Sequence, residues 1–291
     1  MVARASGASL PEQLAQVLGS AVMDLRPLSG GCVAEAWKAR LADGRLVAVK
    51  RDDPARSTLP LEGWMLRYLR QRSPVPVPEV YHAGPGLLVM AYIDHDGGGF
   101  DAITQRHCAE VIAACHATRW DRFGLERDTL IGALPQPNPP SDRWLPFFRE
   151  QRLLHMAREA LKERRIPAGL MARLERLAER LDQYIDEPEY PSLLHGDLWG
   201  GNILTRNGRL VGLIDPAVYY GHPEIELAFS TLFNTFGKPF FDAYAAIRGL
   251  SKDFFSLRRD LYNLYPLLVH VRLFGSSYLG SIESILARLG C

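Results

Sequence analysis

Three polar residues in the second half of the chain have the types and spacing for phosphoryl transfer. Asp197 and Asn202 stand five positions apart in the stretch LLHGDLWGGNIL (193–204), and Asp215 closes the apolar run VGLID (211–215). A carboxylate at the end of an apolar run is poorly explained by a core, because burying it unpaired is costly. Asn202 opens one short strand and Asp215 follows the next, with Asn207-Gly208 between them. A two-strand hairpin would therefore bring two oxygen donors together. Such a pair suits Mg²⁺, which takes hard oxygen ligands, few of them from protein, and leaves room for phosphates. Asp197 is then left to accept a proton from a hydroxyl nucleophile. His195 reads as a residue that braces this loop.

Phosphoryl transfer also asks for parts upstream. The protein-kinase layout places a glycine loop, a strand lysine and a helix glutamate before a loop of the form H-R-D-x-x-x-x-N, with a metal-binding aspartate after it. Here Ser29-Gly30-Gly31, Lys50 in VAVK, Glu62 on the next helix, His195-Gly196-Asp197 with Asn202, and Asp215 stand in that order. Singly, Lys50 reads as a solvated strand-end lysine and Glu62 as a surface helix residue. Only the set Asp197, Asn202 and Asp215 resists a purely structural account, and the order of the whole is what carries the reading.

The elements that must position these residues follow from the pattern of apolar positions. Residues 11–18 predict a short helix. Two alternating runs around Asp43-Gly44 predict a hairpin. Leu61, Met65, Leu66 and Leu69 share one face of a helix over 59–72. Two more strands flank Gly84-Pro85-Gly86, so residues 20–93 read as strand, strand, helix, strand, strand: a small antiparallel sheet with one helix. After Gly97-Gly98-Gly99 the chain turns mostly helical, with helices over 103–118, 142–163 and 168–185. The last carries a stripe of Leu170, Leu174, Leu177, Leu181 and Tyr184 that packs on a bundle. Residues 121–144 are a proline-rich excursion, and helices follow the 207–208 hairpin to the end. The expected fold class is α+β and two-lobed, with an N-terminal lobe over 1–93 and a larger, mainly helical C-terminal lobe over 94–291.

Bulk composition excludes other classes. The chain has 291 residues, 47% of them hydrophobic and 23% charged, with a formal net charge of +1. That describes an ordinary folded protein. No basic run points to nucleic acid, and no apolar stretch reaches the roughly 20 residues that span a bilayer. The N-terminus lacks a signal-peptide core, so a cytoplasmic location is expected. The four cysteines form no C-x-x-C pair, which argues against zinc. Cys108 and Cys115 are expected in the core.

The loop resembles the H-x-D-x-x-x-x-N motif of the aminoglycoside phosphotransferase and choline kinase group. More closely, HGDLWGGN followed by IDPAVYYGHPEIELA resembles the fructosamine-3-kinase (ketosamine kinase) family, within a protein-kinase-like superfamily. SGGC near residue 30, FGL at 123–125 and WLPFFREQRL at 144–153 extend the likeness over about residues 20–280. The resemblance implies a cofactor, ATP with Mg²⁺, and phosphorylation of the 3-hydroxyl of a ketosamine, the sugar adduct on a small amine or a protein lysine. The product is unstable and falls away, so the reaction deglycates. Carried onto this chain, Asp197 is the base, Asn202 and Asp215 hold Mg²⁺, and Lys50 contacts the phosphates and pairs with Glu62. The glycine loop Ser29, Gly30, Gly31 and Cys32 lies over the nucleotide, and Met90, Ala91 and Tyr92 form the adenine hinge. Relatives often carry an acidic residue where Ala91 stands, and DDPARST lies between Lys50 and Glu62.

Trp199 offers a flat apolar face beside the base, on which a sugar could stack, or it could anchor the loop. Glu224 and Glu226 are further candidates for the substrate site: one could orient the loop histidine or backbone, the other could meet the substrate amine. Cys32, in a turn facing phosphates, is a candidate redox site, which leaves the chain a monomer or a redox-linked homodimer. Two other readings stay open: a kinase for another small hydroxylated amine or aminoglycoside-like metabolite, and a kinase-like binding protein without catalysis.

Overall fold

Helix α1 (Leu10–Leu18) begins at a capping box. The Ser9 backbone N–H and hydroxyl both donate to Glu12, and Gly19 ends the helix at a φ of 67°. In this computed structural model the described residues are 8–28, 35–97 and 99–291. The expectations attached to Ser29, Gly30, Gly31 and Cys32 lie outside them. The chain divides into two compact units: residues up to Tyr68 with Val77–Asp94, and Leu69–Pro76 with His95–Cys291.

The first unit is built on an antiparallel sheet of β1 (Val22–Pro27), β2 (Glu35–Leu41), β3 (Leu46–Arg51), β4 (Val80–Gly84) and β5 (Leu87–Ala91), in the order β1-β2-β3-β5-β4. Helix α2 (Leu59–Arg72) precedes β4. The sheet has five strands where four were expected. The additional one, β1, is an edge strand with no fully buried residue, so it lacks the apolar alternation that marks its neighbours. Along β3, Val47 and Val49 are fully buried and join Leu10 and Leu14 of α1, Leu41 and Val89 in one cluster. Alternation then places Ala48 and Lys50 on the opposite face.

In the second unit α3 (Ala102–His116) is followed by a short hairpin, β6 (Thr129–Ile131) and β7 (Leu134–Gln136), inside the proline-rich excursion. Helices α4 (Trp144–Phe147) and α5 (Leu154–Lys162) are joined through a π-helical stretch, Phe148–Leu153. Helix α6 (Ala168–Ala178) ends seven residues before the expected position (185 − 178). A tighter turn at Leu181–Gln183 then carries Leu181 back into the core. The remaining elements are β8 (Ser192–Leu194), β9 (Ile203–Arg206), β10 (Arg209–Leu213), β11 (Tyr219–Gly221), α7 (Pro223–Leu232), α8 (Lys238–Arg248), α9 (Arg259–Phe274) and α10 (Leu279–Arg288). The class is α+β. Cys108 and Cys115 are fully buried, and burial pushes the Cys108 thiol up to about 12.

Candidate active site

The loop after β8 is held at both ends. β8 pairs with β11, Leu194 opposite Tyr219, and the Ala217 N–H donates to His195 O at 2.7 Å. Between these ties the chain turns at Gly196, where φ is 86° and an added Cβ would lie 2.0 Å from Ala217 O. No other residue fits there. His195 is fully buried. Its Nε2–H donates to Ile214 O at 2.9 Å and its Nδ1 accepts the Asp197 N–H at 3.4 Å. A carbonyl only accepts, so this pair of bonds fixes the neutral tautomer. Burial holds the imidazole below its ordinary value.

The two-residue turn Asn207-Gly208, with φ of 50° and 72°, closes the β9–β10 hairpin. Ile203 faces Leu213, and the Ile214 N–H donates to Asn202 O at 3.1 Å. Asn202 thus enters the hairpin beside the point where Asp215 leaves it. Asp215 sits at φ 54°, in the left-handed region that a non-glycine residue adopts at a cost. The Asn202 amide donates to Asp197 O and to Asp197 Oδ2, both at 2.8 Å. With both hydrogens so used, its Oδ1 is left as an acceptor. An amide oxygen and a carboxylate, carried at the same end of one hairpin, are hard oxygen donors of the kind Mg²⁺ takes. Among the described residues no group of three or more His, Cys, Asp or Glu is arranged to hold a metal.

Burial pushes the Asp197 carboxyl up to about 7, and the negative charges of Asp215 and Glu226 add to this; hydrogen bonds from Asn202 and Trp199 act the other way. Trp199 is half-buried, lies over Gly201, and meets Phe233 edge-on with ring centroids 5.9 Å apart.

Glu224 and Glu226, on the first turn of α7, are both buried. Glu226 Oε1 accepts the Gly196 N–H at 2.5 Å, and Oε2 accepts from His116 Nε2 at 2.7 Å. Glu224 Oε1 accepts the Ser251 N–H at 3.0 Å, and Oε2 lies 3.6 Å from the Arg258 guanidinium. The expectation that one of them meets a substrate amine does not fit this burial. Glu226 supports the loop from beneath, and Glu224 belongs to an ion-pair cluster with Arg258. His116 and Tyr244, which join Glu226, carried no signal in the sequence.

In the first unit Lys50 Nζ pairs with Glu62 Oε1 at 2.7 Å, each side chain 15% exposed. The intervening loop is pinned by Asp52, whose carboxylate accepts the Thr58 N–H. In the expected hinge Met90 is buried in β5; the Ala91 N–H donates to Glu79 O and the Tyr92 N–H to Leu46 O. Those two N–H groups are therefore already used by the protein's own backbone.

A small antiparallel sheet bearing a Lys–Glu pair, and a mainly helical unit bearing Asp, Asn and Asp around one hairpin, define a kinase-like phosphotransferase. Comparison with known proteins agrees. The fructosamine kinase family model matches residues 8–290, and the chain belongs to that family. It is 35% identical over 288 residues to Probable ketoamine kinase YniA of Escherichia coli (strain K12), covering 95% of this chain and 96% of that one. It is 31% identical over 268 residues to the chloroplastic protein-ribulosamine 3-kinase of Arabidopsis thaliana, covering 89% and 80%. A solved candidate fructosamine-3-kinase from Thermobifida fusca YX-ER1 superposes with a TM-score of 0.85 at 32% identity, covering 98% and 100%. The protein is an ATP-dependent phosphotransferase. No helix among the described residues is long and apolar enough to cross a membrane.

Proposed function

We propose that the protein transfers the γ-phosphoryl group of ATP to the 3-hydroxyl of a ketosamine such as a fructosamine or ribulosamine adduct, so that the adduct is subsequently lost from its amine. The observation that carries this reading is the pair of Asn202 bonds to Asp197 beside Asp215. Asn202 holds the Asp197 carboxylate in one orientation, from which Oδ1 or Oδ2 accepts the hydroxyl proton as the oxygen attacks. Asn202 Oδ1 and the Asp215 carboxylate would hold Mg²⁺, which when bound neutralises phosphate charge. Lys50, kept in place by Glu62, meets the phosphates. Trp199 presents the face on which the sugar stacks. The names of the relatives, ketoamine kinase and ribulosamine 3-kinase, support the choice of acceptor.

The test is a panel of acceptors with ATP and Mg²⁺: fructosylglycine, ribulosylglycine, erythrulosylglycine, ethanolamine and kanamycin, with ADP release measured and the product phosphate located by NMR. Turnover of the ketosamines at the 3-position is expected. Turnover confined to ethanolamine or kanamycin would replace the acceptor assignment and leave the kinase chemistry. ATP binding without turnover on any of them would favour a binding protein.

A further inference from the structure

A chain of buried hydrogen bonds leads away from the loop. Gly196, beside Asp197, donates to Glu226 Oε1 at 2.5 Å; Glu226 Oε2 lies 2.7 Å from His116 Nε2; His116 Nδ1 lies 2.7 Å from the Tyr244 hydroxyl. Glu226, His116 and Tyr244 are each 3% exposed or less. They come from α7, from the last residue of α3 and from α8. A carboxylate only accepts, so His116 Nε2 carries a hydrogen. Burial keeps the Tyr244 phenol above its ordinary value, so its O–H is intact, and with a neutral imidazole it donates to Nδ1. The rings of His116 and Tyr244 meet at 73° with centroids 5.7 Å apart, which limits sideways movement of the imidazole.

We propose that His116 and Tyr244 are positioning residues for the catalytic loop, acting through Glu226 on the Gly196 N–H and thereby on the Asp197 carboxylate. The proposal rests on the reading of Asp197 as the base. Gly196 has no side chain to pack, so its orientation depends on its backbone bonds. Glu226 supplies one of them, and the Glu226 carboxylate is itself oriented by the imidazole. A base displaced by about 1 Å can lose about a hundredfold in rate, so a hydroxyl far from the reacting atoms can matter to turnover.

The bonding pattern offers a conservative substitution that separates position from charge. In Glu226→Gln the amide oxygen can still accept from Gly196. The amide N–H then donates to His116 Nε2, the imidazole takes its other tautomer, and Nδ1–H donates to the Tyr244 oxygen. Every bond survives with its polarity reversed beyond Gly196.

The experiment measures kcat, KM for ATP and melting temperature for wild type, Tyr244→Phe, His116→Leu, the double variant of these two, Glu226→Gln, Glu226→Leu and Asp197→Asn, on the ketosamine with the highest kcat/KM in the panel above. Tyr244→Phe is expected to lower kcat about tenfold with KM for ATP within about twofold of wild type. Glu226→Leu should lose more than about a hundredfold, and Glu226→Gln no more than about threefold. His116→Leu combined with Tyr244→Phe should be no worse than His116→Leu alone, because both break one chain. Wild-type kcat in Tyr244→Phe with only a lower melting temperature, beside an inactive Asp197→Asn, overturns the proposal alone. A folded but inactive Glu226→Gln also overturns it, because charge rather than position would then be what the loop needs. Wild-type kcat in Asp197→Asn, or no ketosamine turned over, overturns the reading beneath the proposal and the proposal with it.

Discussion

The Asn202 amide donates to both the carbonyl oxygen and the Oδ2 of Asp197, at 2.8 Å each. One side chain thus holds the backbone and the carboxylate of the same residue. Asn202→Asp keeps an oxygen for a metal and removes both donors, whereas Asn202→Ala removes everything. Asn202→Asp is expected to keep Mg²⁺-enhanced ATP binding while kcat falls about a hundredfold; Asn202→Ala should lose both. ATP titrations with and without Mg²⁺, beside turnover, check this. Equal kcat in wild type and Asn202→Asp would show that the donors do not matter.

Gly196→Ala should be among the most damaging single-methyl additions in the chain. It places a Cβ 2.0 Å from a backbone carbonyl oxygen and forces φ 86° on an L-residue. A loss of about 3 kcal/mol or more is expected, read as a shift of the urea midpoint, with turnover lost even where the variant remains folded. A variant with an unchanged midpoint would contradict this geometry.

Trp199→Ala separates a stacking role from an anchoring one. The ring is half-buried against Phe233 and over Gly201. Stacking predicts a KM for the ketosamine raised about tenfold with KM for ATP unchanged. A similar rise in both, with a lower melting temperature, would make it an anchor for the loop.

Acid should weaken the fold through His222. Its Nδ1 accepts the Glu224 N–H at 3.0 Å and caps α7. Burial, and then the charge of Arg258, push it down to about 3 from an ordinary value of 6.5. The unfolded chain therefore takes up this proton first as pH falls. The stability is fully present above about pH 6.5 and is lost toward pH 3, at up to about 1.4 kcal/mol per pH unit. His222→Asn can cap the helix without titrating, so its urea midpoint should fall less than that of wild type between pH 7 and pH 5. Parallel curves would exclude His222 as a source of the acid sensitivity.

The loop was legible in the sequence because its chemistry is local. Asp197, Asn202 and Asp215 lie within one hairpin's length, and a polar residue between apolar runs needs a reason to be there. The same holds for α2, whose apolar stripe matches the observed Leu59–Arg72. Elements that depend on packing were not legible. Edge strand β1 buries no residue fully, β6 and β7 have three residues each, and β8 finds β11 across a long interval. His116 and Tyr244 look like ordinary helix residues, since nothing local says that a histidine will meet partners 110 and 128 positions away. Of the two roles expected of Glu224 and Glu226, orienting the loop backbone fits Glu226, which accepts the Gly196 N–H. The contact with a substrate amine misled, because an acid beside an active-site motif resembles a ligand and only the folded chain shows Glu224 buried beside Arg258.

The hairpin that ends at Asn202 and Asp215 also acts as a ruler. Its turn at Asn207-Gly208 lies at the far end from the site, and a single bulge between Leu210 and Gly212 completes its register. Adding or deleting one residue anywhere along it would turn every following side chain to the other face, and Asp215 would leave Asn202. The letters of the two strands can drift so long as their inward faces stay apolar, but their count cannot. Among descendants of this gene, insertions and deletions should therefore be absent from 202–215 while the bases beneath that segment go on changing.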